Sequence, residues 1–168
     1  MLVKRFVLLY TNFMTLEGKI AQILVNTRKM IAIAESCTGG HLSNRLTNIP
    51  GSSKFFKLGI VTYSNAAKTK LLGVPARLIK KSGAVSKEAA SAMALGIRQK
   101  AGTDFGIGIS GIAGPSGGTK AKPVGLVFVA VAGAKDFICA RCYFKGNRLK
   151  IKSQAAEQAL IFLLDFLS

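Results

Sequence analysis

This 168-residue sequence predicts an α/β fold, a three-layer α/β/α sandwich in a single domain whose sheet is mixed and mostly parallel. Two observations carry that expectation. Short apolar, strand-like runs alternate with segments of helical spacing through most of the chain. Near the C-terminal end, two strand-like runs, 126–132 and 137–144, are separated only by Gly133-Ala134-Lys135-Asp136. The alternation requires helical crossovers and so parallel neighbours, whereas a four-residue gap permits only an antiparallel hairpin.

The elements follow in order. Leu16, Ile20, Ile23 and Leu24 fall on one face of a helix over 15–27. Ile31-Ala32-Ile33-Ala34 reads as a short buried strand, and Glu35-Ser36-Cys37-Thr38-Gly39-Gly40 leads from it into a helix ending near Thr47. Pro50-Gly51-Ser52-Ser53 is a loop, and 56–63 is the next strand. Asn65 is expected to cap a helix to Leu72, followed by a short turn containing Pro75. Ser86 caps a helix to Ala101, with Met93 and Ile97 on its apolar side and Glu88 in the first turn, where a carboxylate suits the helix dipole. A strand over 105–109 runs into the glycine-rich stretch 110–118, and a final helix covers 147–167. No repeat, low-complexity tract or linker divides residues 14–168. Residues 1–13 read as an extension: two cations and five apolar residues fall short of the roughly 7–15 apolar residues of a signal peptide, and Met14 is an alternative start.

Composition narrows the function. With 49% hydrophobic residues the chain has the makings of a core, and no apolar run approaches the roughly 20 residues of a membrane-spanning helix. Three cysteines, an odd number in a domain large enough to need no staple, imply reduced thiols and a cytoplasmic location. Lys and Arg number 24 against 7 acidic residues, a formal charge of +17 that favours anionic partners. These cations are dispersed and not interleaved with aromatics, so a nucleic-acid partner is not expected. A phosphorylated small molecule fits better, and a membrane partner is not expected.

Three motifs mislead. Gly106-x-Gly108-x-x-Gly111 matches a dinucleotide fingerprint by letter, but its glycines lie within a strand and a Pro/Gly loop follows where a helix is needed. Cys139-x-x-Cys142 with Cys37 and His41 has the residue types of a zinc site, yet residues three apart on a strand face opposite sides, and no metal or other cofactor is expected. His41, the one histidine, sits a helical turn beyond Cys37 with no carboxylate obviously placed to orient it.

Ser36 is a better nucleophile. It lies between a buried strand and a helix N-terminus, where free N–H groups are able to hold an oxyanion. Its base would be a lysine made neutral by burial or neighbouring charge, and Lys68 follows a second strand-to-helix turn, Thr62-Tyr63-Ser64-Asn65. On chemistry alone, Ser36 as a simple helix cap is an equal reading.

Several blocks, in this order and spacing, resemble the CinA C-terminal domain family: Ala34-Glu35-Ser36-Cys37-Thr38-Gly39-Gly40, Pro50-Gly51-Ser52-Ser53, Gly59-Ile60-Val61-Thr62-Tyr63-Ser64-Asn65-Ala66-Ala67-Lys68, Gly111-Ile112-Ala113-Gly114-Pro115-Ser116-Gly117-Gly118 and Lys122-Pro123-Val124-Gly125. The resemblance runs from about Leu16 to the end. It implies a nicotinamide-nucleotide amidase, which converts nicotinamide mononucleotide to nicotinic acid mononucleotide and ammonia. It further implies Ser36 as nucleophile, Tyr63 and Lys68 as its proton-handling partners, and a supporting hydroxyl at Ser110. N–H groups around Thr38, Gly39 and Gly40, or at Ser110 and Gly111, would hold the oxyanion. Asn65 is assigned to substrate binding; the loop carrying Gly114, Gly117 and Gly118, with Lys120, Lys122 and Arg148, is the candidate for the phosphate. A homo-oligomer is expected from the apolar segment 160–167.

Overall fold

The computed structural model describes residues 15–168, so the reading of 1–13 as an extension and of Met14 as a start lies outside the described residues. Thr15 caps α1 (Leu16–Thr27), and β1 (Ile31–Glu35) follows. Next come α2 (His41–Thr47), a single 3-10 turn, β2 (Phe56–Val61) and α3 (Asn65–Leu72). After these lie α4 (Ala76–Ser82), α5 (Lys87–Ala101) and β3 (Phe105–Gly111). The hairpin β4 (Leu126–Ala132) and β5 (Phe137–Tyr143) precedes α6 (Arg148–Leu167). The sheet order is β2-β1-β3-β4-β5. β1 is parallel to β2 and β3, and β4 is antiparallel to both β3 and β5, so the sheet is mixed with its parallel part at one end.

The two faces of this sheet are built from different residue sizes. Ile31, Ile33, Ile107, Ile109, Val127, Val129 and Val131 project to one face and pack under α1, α2 and α6. The other face is a floor of small residues: Ala32 pairs with Gly106 and Gly106 with Ala132, while Ala34 pairs with Gly108 and Gly108 with Ala130. α5 lies directly on that floor. A Cβ at Gly106 would stand 2.2 Å from Ala94 O, and one at Gly108 would stand 2.3 Å from Ala90 O. The Gly-x-Gly pattern in β3 therefore serves close helix–sheet approach, and Gly106 and Gly108 have no part in the site.

Two local expectations change. The cap of α3 is Ser64, whose Oγ accepts from Ala67 N at 3.0 Å, and Asn65 is the first helical residue. Pro75 begins no mere turn but caps α4, a seven-residue helix. Its apolar content is too sparse for the periodicity to show, since only Ile79 is buried. The apolar end of α6 is largely spent inside the chain: Leu160 and Leu163 are fully buried in the core beneath β3 and β4. Arg45 ties the layer together through Glu17 and Glu157, each at 2.6 Å. Among the described residues no helix is long and apolar enough to cross a membrane.

Candidate active site

The connection leaving β1 turns toward β2, whereas the 112–125 loop leaving β3 turns toward β4. Diverging connections at the C-terminal ends of parallel strands open a crevice between them, the usual ligand position in such sheets. Ser36 lies at its floor. Its N–H donates to Ile109 O at 3.0 Å, which extends the β1–β3 pairing by one residue and holds the serine backbone rigid.

Lys68, on the second turn of α3, reaches the same point from the β2 side. It is 1% exposed. Its Nζ lies 3.0 Å from Ser36 Oγ and donates to Thr62 O at 2.8 Å and Tyr63 O at 3.3 Å. Burial pulls the Lys68 ammonium below the usual lysine range, since the charged form is the one that loses most on leaving water. None of the residues lining the crevice is a carboxylate that would restore the charge. A neutral Lys68 has two N–H groups for the two carbonyls and a lone pair left for the Ser36 hydroxyl.

The crevice has a volume of about 240 Å³, and Ser36, Tyr63, Asn65, Lys68, Gly111, Gly114, Gly117 and Arg148 all line it. Arg148 bridges its two walls, donating to Gly114 O at 2.6 Å and to the Tyr63 hydroxyl at 2.9 Å. Tyr63 is 62% exposed at the rim and touches Lys68 through its carbonyl and Arg148 through its phenol. A larger groove of about 600 Å³ between α3 and α4 shares only Asn65 with the crevice and contains neither Ser36 nor Lys68. Chemistry, not size, selects the smaller one.

The remaining sequence candidates lie outside the crevice lining. Ser110 is 1% exposed and donates to Ala84 O at 2.6 Å, so it holds the loop whose Ala84 and Val85 form one wall. Gly118 packs on Val124. Lys122 is spent on Ser82 O at 2.6 Å, and Lys120 is not among the lining residues. Thr38 is fully buried, and its hydroxyl has no partner among the described residues.

Gly39 donates to Ser36 O and Gly40 to Glu35 Oε2, so neither N–H is free for a ligand. Glu35 is the residue that sequence reasoning passed over. Its fully buried carboxylate accepts from the N–H groups of Gly40, Leu42 and Ser43 and from the Ser43 hydroxyl. It thereby closes the N-terminus of α2 to any other anion. The signal was a carboxylate at the end of an otherwise apolar strand, five residues ahead of the Gly40 cap position of a helix that lacks a side-chain cap. The N–H groups of Cys37, Thr38 and Gly111 take no acceptor among the described residues. Gly111 pairs across to Val127, in the ladder where Ile112 N, one residue on, bonds Leu126 O; its own N–H therefore faces the β1 side, past the last residue of β1.

Cys37 lines the crevice but is a poor rival nucleophile: burial pushes its thiol up to about 11. Cys139 packs toward α5, and Cys142 alternates to the opposite face of β5. Among the described residues no three His, Cys, Asp or Glu side chains gather as a metal site.

This geometry has relatives. A "CinA-like protein" of Syntrophus aciditrophicus is 46% identical over 155 residues, 92% of this chain and 37% of its own. A "putative competence-damage inducible protein" of Moorella thermoacetica is 52% identical over 149 residues, 89% of this chain and 36% of its own. The chain thus spans little more than a third of the length of these curated relatives. Among solved structures, a competence or damage-inducible protein from Enterobacter asburiae superimposes with a TM-score of 0.88 at 34% identity, covering 91% of this chain and 96% of that one. A competence/damage inducible protein from Agrobacterium tumefaciens gives 0.86 at 34% identity, covering 93% and 98%. The CinA C-terminal domain model matches residues 14–167, so fold, relatives and motif blocks agree: the chain belongs to the CinA C-terminal domain family.

Proposed function

We propose that this domain is a nicotinamide-nucleotide amidase that hydrolyses nicotinamide mononucleotide through an acyl-enzyme on Ser36. The observation that carries the reading is the buried Lys68 amine 3.0 Å from Ser36 Oγ, with two carbonyls to take its N–H groups. Such a pair is a serine nucleophile with a lysine general base.

The Ser36 hydroxyl gives its proton to the Lys68 lone pair while its oxygen attacks the carboxamide carbon. The unpaired N–H groups of Cys37 and Gly111, both residues of the crevice lining, are the donors available to the developing oxyanion, where fixed donors outweigh those of water. Lys68 then passes the proton to the amide nitrogen, the C–N bond breaks, and ammonia leaves an ester on Ser36. Water, deprotonated by Lys68, attacks that ester and releases nicotinic acid mononucleotide. The chain works without a metal in this scheme, in a cytoplasmic setting and as a homo-oligomer. A cationic crevice without a carboxylate suits a phosphorylated amide.

Nicotinamide mononucleotide incubated with the full chain in chelator is expected to yield ammonia and nicotinic acid mononucleotide in equal amounts. Folded protein that yields neither would contradict the amidase reading.

A further inference from the structure

A nucleotide substrate presents its amide and its phosphate at opposite ends, so an amide at Ser36 leaves the phosphate at or beyond the rim. Arg148 is at that rim, and its guanidinium meets only a carbonyl and a phenol among its hydrogen-bond partners. One helical turn later on α6 comes Lys152, on the same face at a spacing of four residues. The Lys152 ammonium stands against Gly39 in the turn after Ser36, 3.4 Å from where a Cβ would be. Gly39 has φ +62, the left-handed backbone that favours glycine.

Lys152 is half-buried, yet among the described residues it makes no hydrogen bond and neither it nor Arg148 has a carboxylate partner. Like charges four apart on a helix repel, and here the surrounding protein is already at +17. Arg148 lines the crevice, and Lys152 stands beside the Gly39 turn just outside that lining; two unneutralised cations one helical turn apart are a charge arrangement that a dianion relieves. The backbone offers the phosphate little alternative in this turn, because Glu35 occupies the α2 N-terminus.

Resting on the amidase reading for the substrate's identity, we propose that Arg148 and Lys152 form its phosphate subsite, with Lys152 the principal charge contact between α6 and the Gly39 turn. The subsite accepts the 5′-phosphate of a ribose, and it makes the mononucleotide the preferred substrate over the uncharged riboside.

Ribose 5-phosphate, titrated calorimetrically into the full chain, tests the subsite without requiring turnover. Wild type is expected to bind it, and Lys152→Met to bind roughly ten- to hundredfold more weakly, the worth of a hydrogen bond to a charged group. Lys152→Arg is expected to restore binding. A purely structural lysine would lower thermal stability when replaced, whereas this one, paired with nothing, should leave the melting temperature level or higher. In turnover, the preference for nicotinamide mononucleotide over nicotinamide riboside is expected to fall by the same factor in Lys152→Met, chiefly through KM. Equal ribose 5-phosphate binding by wild type and a folded Lys152→Met protein, or none by wild type, overturns the subsite. Lys152-dependent binding with no amide turnover would leave the subsite standing and remove the amidase reading.

Discussion

Lys68→Met is expected to lower kcat/KM for nicotinamide mononucleotide by roughly 10²- to 10⁴-fold, the usual share of a positioned general base. Methionine keeps most of the length and the apolar stem, but its thioether sulfur is too weakly basic to take the Ser36 proton. In wild type, kcat/KM is expected to rise with pH as Lys68 loses its proton, along a limb lying below the ordinary lysine value because burial disfavours the ammonium. The residual activity of the variant should lack that limb.

Stability provides a second reading of the same group. The folded pKa of Lys68 is depressed, so between that value and the unfolded one near 10.4 the unfolded chain binds the extra proton. Wild-type stability therefore gains from Lys68 as pH rises through this window and is penalised below it. The difference in stability between Lys68→Met and wild type should accordingly favour the variant most at the low end and shrink toward alkaline pH. A difference that does not vary with pH would show that Lys68 titrates normally, and a variant with wild-type kcat/KM would remove it from the mechanism.

Gly108→Ala is expected to cost about 3 kcal/mol, at the upper end of the usual overpacking range. The added methyl would meet the α5 backbone at Ala90 O, 2.3 Å, and Ala94 N, 2.6 Å. Neither atom belongs to a flexible side-chain end, so α5 as a whole must lift from the sheet. For a chain of this size that corresponds to a fall of roughly 6–12 °C in Tm. Gly73→Ala makes the matching control. It sits at φ +68 with no atom within 4 Å of a new Cβ, so it carries only the left-handed backbone cost of about 1–2 kcal/mol. Equal losses in the two variants, read by thermal denaturation, would contradict the account of the Ala/Gly floor.

Much of this was legible in the residues because it rests on local periodicity and on caps. The β4–β5 hairpin, α5 with its Ser86 cap and the long α6 follow from spacing alone. The Ser36–Lys68 pairing was also foreseeable, since two strand-to-helix turns on adjacent parallel strands must open at the same edge of the sheet. What escaped was set by tertiary partners. α4 has too small an apolar face to announce itself, and Asn65 and Ser64 are both good caps, so only backbone geometry separates them. Gly39 and Gly40 looked like free N–H donors, but Gly39 N turns back to Ser36 O and Gly40 N is taken by Glu35, which reaches forward over the turn. Gly106 and Gly108 were rightly read as strand residues, but their task of seating α5 could not be read, because nothing in their own segment tells that a helix backbone lies on top of them. Lys152 carries no motif at all; its place beside Gly39 depends on how α6 crosses the sheet.

Trapping the covalent intermediate is the most direct test of the account. Wild type mixed with nicotinamide mononucleotide and quenched in acid within the first turnover should carry the nicotinic acid mononucleotide acyl group, as an ester on the peptide containing Ser36, by mass spectrometry. Ser36→Ala, folded to the same melting temperature, should carry none and release no ammonia. An unmodified Ser36 during rapid turnover, or a Ser36→Ala protein that still releases ammonia at the wild-type rate, would contradict the acyl-enzyme mechanism at its first step.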